Sequence, residues 1–334
     1  MNIGSLLTRH ARYRPDHLAV VVGDHRLNWR AFNRRVNQVA NVLSALGLRK
    51  GGKIAMILPN CLELLEVYWA AAKIGAVVVP LSPLLRGQGL TTLLRDSDAA
   101  MIITYPAYID ILNPLKPELP AVSAERYLLT DGAQVSGYQD YRELTSRADD
   151  IEPDVELSAD DLYNIMYSSG TTGLPKGIMH THRIRAMYGM SFATAFRIAA
   201  ESTVLHTGSL VFNGAFVTYM PAFFVGATFI LHREFNPLAL IETVWRERVT
   251  HIMLVPSQII ALLNTPEFSA EKLQSLEMMG SIGAPLHREF KEQLHRLLPG
   301  RFYELYGVTE GFVTILDKMD AETKLNSVGT PPPF

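Results

Sequence analysis

The sequence has a single cysteine, Cys61, so it can form no internal disulfide. That removes the stapled scaffold of small secreted domains and leaves Cys61 as a small buried apolar residue rather than a nucleophile. A charge of one sign is missing too. With 31 Lys+Arg against 33 Asp+Glu the formal net charge is -2, and nothing suggests the basic face that nucleic acid requires. No run reaches the roughly 18 uninterrupted apolar residues of a transmembrane helix. The richest stretch, Tyr219 to Leu231, is broken by Pro221 and Gly226 and reads as a buried strand with its approach. The N-terminus lacks the apolar core and small-residue cleavage site of a signal peptide, which points to a cytoplasmic protein. There are no internal repeats, and the terminal "TPPPF" is the sole low-complexity stretch. What is present is 334 residues, 48% of them hydrophobic, enough for one large core or two adjoining ones.

Strand-length apolar runs alternate with helical patterns. "LAVVVGD" is a strand. Asn28 then caps a helix whose apolar positions Trp29, Phe32, Val36, Val39, Leu43 and Leu46 recur every three or four residues, with Gly47 as its stop. "KIAMILP", "AVVVPL" and "AAMIITY" are further strands, separated by a helix ending at Gly75 and another around Thr91 to Arg95. Beyond residue 200, "ATFIL", "HIMLVP" and "SLEMMGSIG" alternate with helices near Pro237 to Arg248 and Leu286 to Leu298. This rhythm predicts an α/β fold of parallel sheets covered by helices. The acidic interval from Ala148 to Asp161 reads as a solvated connector.

After the strand "LYNIM" comes "YSSGTTGLPKG", Tyr167 to Gly177, dense in hydroxyls and glycines. Such a stretch has too many polar donors for a core. A Gly-rich turn after a strand offers backbone N–H groups to an anion, and Lys176 adds the cation a polyphosphate requires. It is not a P-loop of the form G-x-x-x-x-G-K-[ST]. Counted from Gly170, the second glycine is replaced by Pro175, and Gly177 stands where a magnesium-binding Ser/Thr belongs. Nor does it contain G-x-G-x-x-G. A polyphosphate loop is favoured over a flexible surface loop.

"YSSGTTGLPKG" resembles the phosphate-binding signature of the adenylate-forming superfamily of acyl-CoA synthetases, peptide-synthetase adenylation domains and luciferases. Two more segments follow in that family's order: "SIGAPL" (Ser281 to Leu286), similar to its adenine turn, and "YELYGVTE" (Tyr303 to Glu310), similar to its Y-G-x-T-E motif. The N-terminal flank "PNCLELLEVYWAAAKIGAVVVPLSPLL" is similar as well, so the resemblance covers essentially the whole chain.

The resemblance implies two helix-flanked, mostly parallel β-sheets facing each other, with part of an accompanying small β-barrel missing. It divides this large domain into residues 1–50 with 187–334 and residues 51–186. It implies ATP-dependent activation of a carboxylic acid to acyl-AMP, release of pyrophosphate, and transfer of the acyl group to CoA. Ser168, Ser169, Gly170, Thr171, Thr172, Gly173 and Lys176 would hold the β- and γ-phosphates. Glu310 would hold Mg2+, Thr309 would contact the α-phosphate, and Gly283, Ala284, Pro285, Tyr306 and Gly307 would enclose the adenine. Val211, Phe212, Phe216, Val255 and Ser281, with Gly283, are candidates for the acyl pocket. All are apolar or small, which favours a small hydrophobic carboxylic acid over an amino acid. Many acyl- and aryl-CoA ligases carry "PLFH" where this sequence has "GSLV", Gly208 to Val211. Val211 thus replaces the histidine in an ungapped comparison, with Asn213 and His206 as open substitutes.

His180 and His182 read as structural, because a carboxylate nucleophile is already ionised and needs no base. The family's ribose-binding aspartate and its small C-terminal domain with the catalytic lysine are expected beyond residue 334, so this chain alone is expected to have little complete activity. Loading of a carrier protein instead of CoA, a non-catalytic nucleotide- or acyl-binding role, and a homodimer all remain open at this point.

Overall fold

The computed structural model describes residues 2–132, 134–168 and 175–332. They fall into two compact units, Met1–His17 with Leu27–Ala186, and Leu18–Arg26 with Met187–Phe334. Residues 1–17 and 27–50 thus go with the first unit and 18–26 with the second, a different grouping from the one the resemblance implies. The reason is packing: the helix Trp29–Ala45 lies against the helix Leu62–Ile74.

The strands of the first half of the chain are β1 (Leu18–Val22), β2 (His25–Asn28), β3 (Lys53–Ile57), β4 (Val77–Pro80), β5 (Met101–Thr104), β6 (Tyr127–Leu129), β7 (Gln139–Asp140), β8 (Leu162–Ser168) and β9 (Lys176–Thr181). The second half adds β10 (Thr203–His206), β11 (Thr228–Leu231), β12 (His251–Leu254), β13 (Met278–Ile282), β14 (Phe302–Gly307) and β15 (Val313–Leu316). They form a seven-stranded sheet in the order β7-β6-β5-β3-β4-β8-β9 and an eight-stranded sheet in the order β15-β14-β13-β12-β10-β11-β1-β2. The central pairings are parallel, whereas β9 runs antiparallel to β8 and β15 antiparallel to β14. Strands such as β4 and β5 are buried along their whole length, as central parallel strands covered on both faces must be.

Local chemistry sets the element ends. Asn28 Oδ1 accepts from the Ala31 amide at 2.8 Å, capping the helix Trp29–Ala45, whose apolar stripe Trp29, Phe32, Val36, Val39 and Leu43 is buried. The helix Leu62–Ile74 ends on Gly75 at φ +70°, a left-handed cap that glycine adopts without a Cβ penalty. The stretch Tyr219 to Leu231 differs from the sequence expectation. Its first part completes the helix Phe216–Val225, in spite of Pro221, and only Thr228–Leu231 is strand. Gly226 at φ +83° separates the two, and short apolar runs of this kind carry no periodicity that distinguishes buried helix from buried strand.

The acidic interval also departs from expectation. It has no regular secondary structure, but its first residues form a strap along the helix Trp29–Ala45. Asn37 Nδ2 donates to the Asp150 carbonyl (2.9 Å), and Asn41 Nδ2 to those of Asp149 (2.8 Å) and Ile151 (3.1 Å). Asn33 Nδ2 reaches Glu152 Oε1 at 2.5 Å, and Glu152 Oε2 pairs with the buried Lys73 ammonium at 2.5 Å. Burial pushes Lys73 below the usual lysine range. Burial alone would raise Glu152, but hydrogen bonds from Lys73 and Asn33 outweigh it and hold its carboxyl below the usual range. Among the described residues no helix is long and apolar enough to cross a membrane.

Candidate nucleotide site

The flanks of the glycine-rich loop lie on the β8–β9 hairpin of the first unit. Ser169, Gly170, Thr171, Thr172 and Gly173 lie outside the described residues. Ser168 pairs with Lys176 and Tyr167 with Gly177 across the antiparallel ladder. Lys176 is exposed at the start of β9 and Ser168 is half-buried. The hairpin is anchored by Tyr167, whose hydroxyl donates to Asp96 Oδ2 at 2.5 Å. Burial first, then the Asp96 carboxylate, pushes the Tyr167 phenol well above the usual tyrosine range, so it stays a donor. Opposite it, a Cβ on Gly177 would lie 2.9 Å from Ile165 Cγ2 and 3.3 Å from the Tyr167 ring. That position has no room for a side chain, which explains the glycine standing where a P-loop carries Ser/Thr.

In the second unit the other motifs emerge from one edge of the eight-stranded sheet. β10, β12, β13 and β14 are parallel, with Leu254, Ser281 and Glu304 in one register row. Their carboxyl ends carry, in turn, the Val211–Phe216 segment, Val255, the Gly283–Pro285 turn and the Tyr306–Glu310 segment. Open α/β sheets bind ligands outside the carboxyl ends of their strands. Gly283 has φ +92°, and it, Ala284 and Pro285 are exposed. The β14–β15 hairpin presents Tyr306, 51% exposed, with its ring edge-on to Phe312 at 6.3 Å. Gly307 is required by a close approach, since a Cβ there would meet the Phe312 carbonyl oxygen at 2.7 Å. Thr309 and Glu310 occupy the hairpin tip. Glu310 is exposed and makes no ion pair among the described residues. No cluster of three or more metal-ligating side chains exists among the described residues.

The acyl candidates divide. Phe212 (55% exposed) and Val255 (38% exposed) present apolar surface at the strand ends, and a Cβ on Gly283 would stand 3.6 Å from Val255 Cγ1. Val211 and Ser281 are buried, and Phe216 belongs to a buried aromatic cluster with Tyr219, Phe223 and Phe229. His206 is buried against Phe229, and burial depresses it to about 4. Asn213 Nδ2 donates to the Tyr188 hydroxyl at 3.2 Å.

His180 and His182 are buried structural groups. His180 Nδ1 meets Arg185 at 3.2 Å, and His182 Nδ1 accepts from the Ile3 amide at 3.3 Å. Sequence reasoning missed two charged or hydroxyl-bearing pairs beside the motifs, Tyr167–Asp96 and Glu304–Lys291. Asp96 lies far from its motif in sequence, and Lys291, five residues after Leu286, carries no local signal of its own.

The family model described as AMP-binding enzyme matches residues 7–334. A feruloyl-CoA synthase from Amycolatopsis sp is 32% identical over 333 residues, covering 98% of this chain and 64% of that protein. The long-chain-fatty-acid–CoA ligase FadD13 of Mycobacterium tuberculosis is 30% identical over 335 residues, again 98% of this chain and 64% of the relative. The chain therefore spans about two thirds of the length of the curated relatives it matches. An inhibitor-bound crystal structure of the N-terminal domain of FACL13 from M. tuberculosis superposes with a TM-score of 0.89 at 28% identity, covering 100% of this chain and 83% of that one.

Proposed function

Because the chain belongs to the AMP-binding enzyme family, we propose that it forms the nucleotide- and acid-binding part of an AMP-forming acid–CoA ligase for a hydrophobic carboxylic acid. In the whole protein, a carboxylate oxygen attacks the α-phosphorus of ATP, the bond to the β-phosphate breaks, and pyrophosphate leaves. The thiol of CoA then takes the acyl group and AMP departs. The observation that carries this reading is the delivery of the Gly283–Pro285 turn and the Tyr306–Glu310 hairpin to the carboxyl ends of adjacent parallel strands.

The chemical difficulty is an anion attacking a polyanion, so catalysis rests on alignment and charge compensation rather than on a base. Tyr306 offers a ring face to the adenine, and Thr309 a hydroxyl to the α-phosphate. Lys176 and Ser168, with Ser169, Gly170, Thr171, Thr172 and Gly173, hold the phosphates that leave. A magnesium ion held by Glu310 and phosphate oxygens would supply compensation of the charge on the triphosphate. Phe212 and Val255 favour an apolar acid; the feruloyl and long-chain-fatty-acid relatives both act on such acids by name.

The test is acid-dependent ATP–pyrophosphate exchange by the full-length protein across a panel of fatty and aryl acids, with thioester formation followed with and without CoA. Exchange with one class of hydrophobic acid and CoA-dependent thioester is the expected outcome. No exchange with any acid would sink the synthetase reading. Exchange without thioester formation would reassign the acceptor to another thiol, such as a carrier protein.

A further inference from the structure

Two residues before Tyr306, the strand β14 carries a carboxylate into the interior. Glu304 is 4% exposed, and Lys291, on the helix Arg288–Leu297, is 5% exposed. Lys291 Nζ stands 2.5 Å from Glu304 Oε2. The other carboxylate oxygen, Oε1, accepts from the Leu286 amide at 3.2 Å. Leu286 is the residue immediately after the Gly283–Pro285 turn, and its own side chain is buried in the core. Lys291 Nζ also donates to the Leu325 carbonyl at 2.9 Å. One buried ion pair therefore ties the end of the turn, the strand that leads to Tyr306, and the chain beyond the β14–β15 hairpin.

A buried ion pair is weak evidence for stability, because desolvation offsets the Coulombic gain; its best-attested use is to fix one arrangement among several. A hydrophobic pair of equal length would fill this space without the desolvation. What an apolar pair cannot do is accept the Leu286 amide, and a buried amide without a partner is costly enough to move the backbone. Gly283, Ala284 and Pro285 are exposed and Gly283 has the freedom of a residue at positive φ, so the Leu286 amide is a buried anchor at the end of the turn.

We propose that Glu304 and Lys291 are positioning residues for base recognition. The Glu304 carboxylate, held in place by Lys291, fixes the turn through the Leu286 amide, so that backbone carbonyls of the turn are set to accept from an adenine 6-amino group. The proposal rests on the reading of that turn as the adenine site. Neither side chain touches the nucleotide. They act through the backbone of the turn, so their loss degrades discrimination between bases more than it degrades affinity for phosphate.

The experiment measures equilibrium binding of AMP, IMP and inorganic pyrophosphate to the whole chain, with melting temperature alongside. IMP lacks the 6-amino group. Two charge-neutral double variants separate turn-holding from charge balance. Glu304→Gln with Lys291→Met keeps an oxygen acceptor for the Leu286 amide, whereas Glu304→Met with Lys291→Met removes it. The expected result is an AMP/IMP preference within twofold of wild type for the Gln/Met pair and reduced fivefold or more for the Met/Met pair. Pyrophosphate affinity is expected to stay within twofold in both. Equal AMP/IMP preference in the two doubles, whatever their melting temperatures, overturns the proposal. If the Met/Met pair fails to fold, the Gln/Met pair is compared with Lys291→Met alone, which leaves a buried carboxylate without its counter-ion, so that it turns from the Leu286 amide toward water while the neutral Gln does not. Loss of preference in the single variant then supports the proposal, and retention overturns it. A wild-type chain that binds pyrophosphate but neither nucleotide overturns the adenine reading itself, and this inference with it. A wild-type preference for AMP that all variants keep overturns the inference alone.

Discussion

Gly177 illustrates how one missing methyl group shapes the candidate phosphate grip. Its Cα pairs with Tyr167 across the β8–β9 ladder, and the side chains of Tyr167 and Ile165 together fill the place of a Cβ. Gly177→Ala forces a contact of 2.9 Å on a β-branched side chain in a strand, which has no soft direction to yield. Overpacking of this kind costs about 1–3 kcal/mol. The expected readout is a lower melting temperature together with weaker pyrophosphate binding, because the neighbouring residue Lys176 sits next to the strain. A Gly177→Ala variant with unchanged melting temperature would show that the hairpin opens freely there. Lys176 itself makes no ion pair among the described residues, so Lys176→Ala removes no fold contact of that kind. It is expected to weaken pyrophosphate binding at least tenfold while AMP affinity changes less than threefold; calorimetric titration with each ligand decides, and equal loss for both contradicts the loop assignment. At this scale the sequence singled out the candidate residues and was silent about what supports them. Lys176, Tyr306 and Glu310 sit inside short contiguous motifs. Asp96 and Lys291 are recruited by tertiary packing from helices whose local patterns look ordinary.

The strap over the helix Trp29–Ala45 is the element that charge patterning misjudged. A run of acidic residues suggests solvation, but here the carbonyls of Asp149, Asp150 and Ile151 matter more than the side chains. Asn33, Asn37 and Asn41 recur at every fourth position, so they lie in one line along the helix and match an extended chain running past it. That spacing was present in the sequence, but asparagine in a helix interior ordinarily reads as a mild propensity defect. Asn37 is 2% exposed, so its amide has no water to fall back on. Combined Asn37→Ala and Asn41→Ala replacement leaves three strap carbonyls without these donors and is expected to cost about 1–3 kcal/mol. Limited proteolysis with mass spectrometry should find new cleavage between residues 148 and 157 in the variant. Unchanged protection of that segment would mean that Lys73 and Glu152 hold the strap without the asparagine ladder. The alternation of strands and helices was legible because parallel central strands are uniformly apolar and their helices are amphipathic. The helix Phe216–Val225 was not, because an element buried on every side has no polar face to reveal its period.

Across the whole molecule, acid is the condition that the buried histidines make most dangerous. Burial lowers His182, His206 and His251 to about 4 each, whereas an unfolded histidine titrates near 6.5. The sign follows from linkage. Between those values the unfolded chain binds protons that the folded chain refuses, so the folded state loses stability as the pH falls. The contribution is fully present above about pH 6.5 and is lost progressively down to about pH 4. Each histidine contributes a slope of roughly 1.4 kcal/mol per pH unit within that window. Several carboxylates, among them Glu152 and Asp317, are held below the usual range and add their own acid sensitivity at the bottom of it, so the clean interval is pH 5 to 6.5. The two compact units do not share this burden equally. His182 belongs to the first, and His206 and His251 to the second, in which burial also lowers His232. If denaturant unfolding resolves two transitions, the one assigned to the second unit is expected to take up more protons between pH 6.5 and 5 than the other. If unfolding is a single transition, the uptake is the sum of the two. His251 Nε2 meets the Phe196 carbonyl at 3.0 Å, and its Nδ1 meets Thr250 Oγ1 at 2.7 Å. Nε2–H donates to the Phe196 carbonyl, which leaves Nδ1 of the neutral ring to accept from the Thr250 hydroxyl. His251→Gln keeps an amide donor and acceptor without the titration, so it is expected to remove one proton from the slope of the transition that carries it. A slope unchanged by that substitution would show that His251 is protonated in the folded state as readily as in the unfolded one.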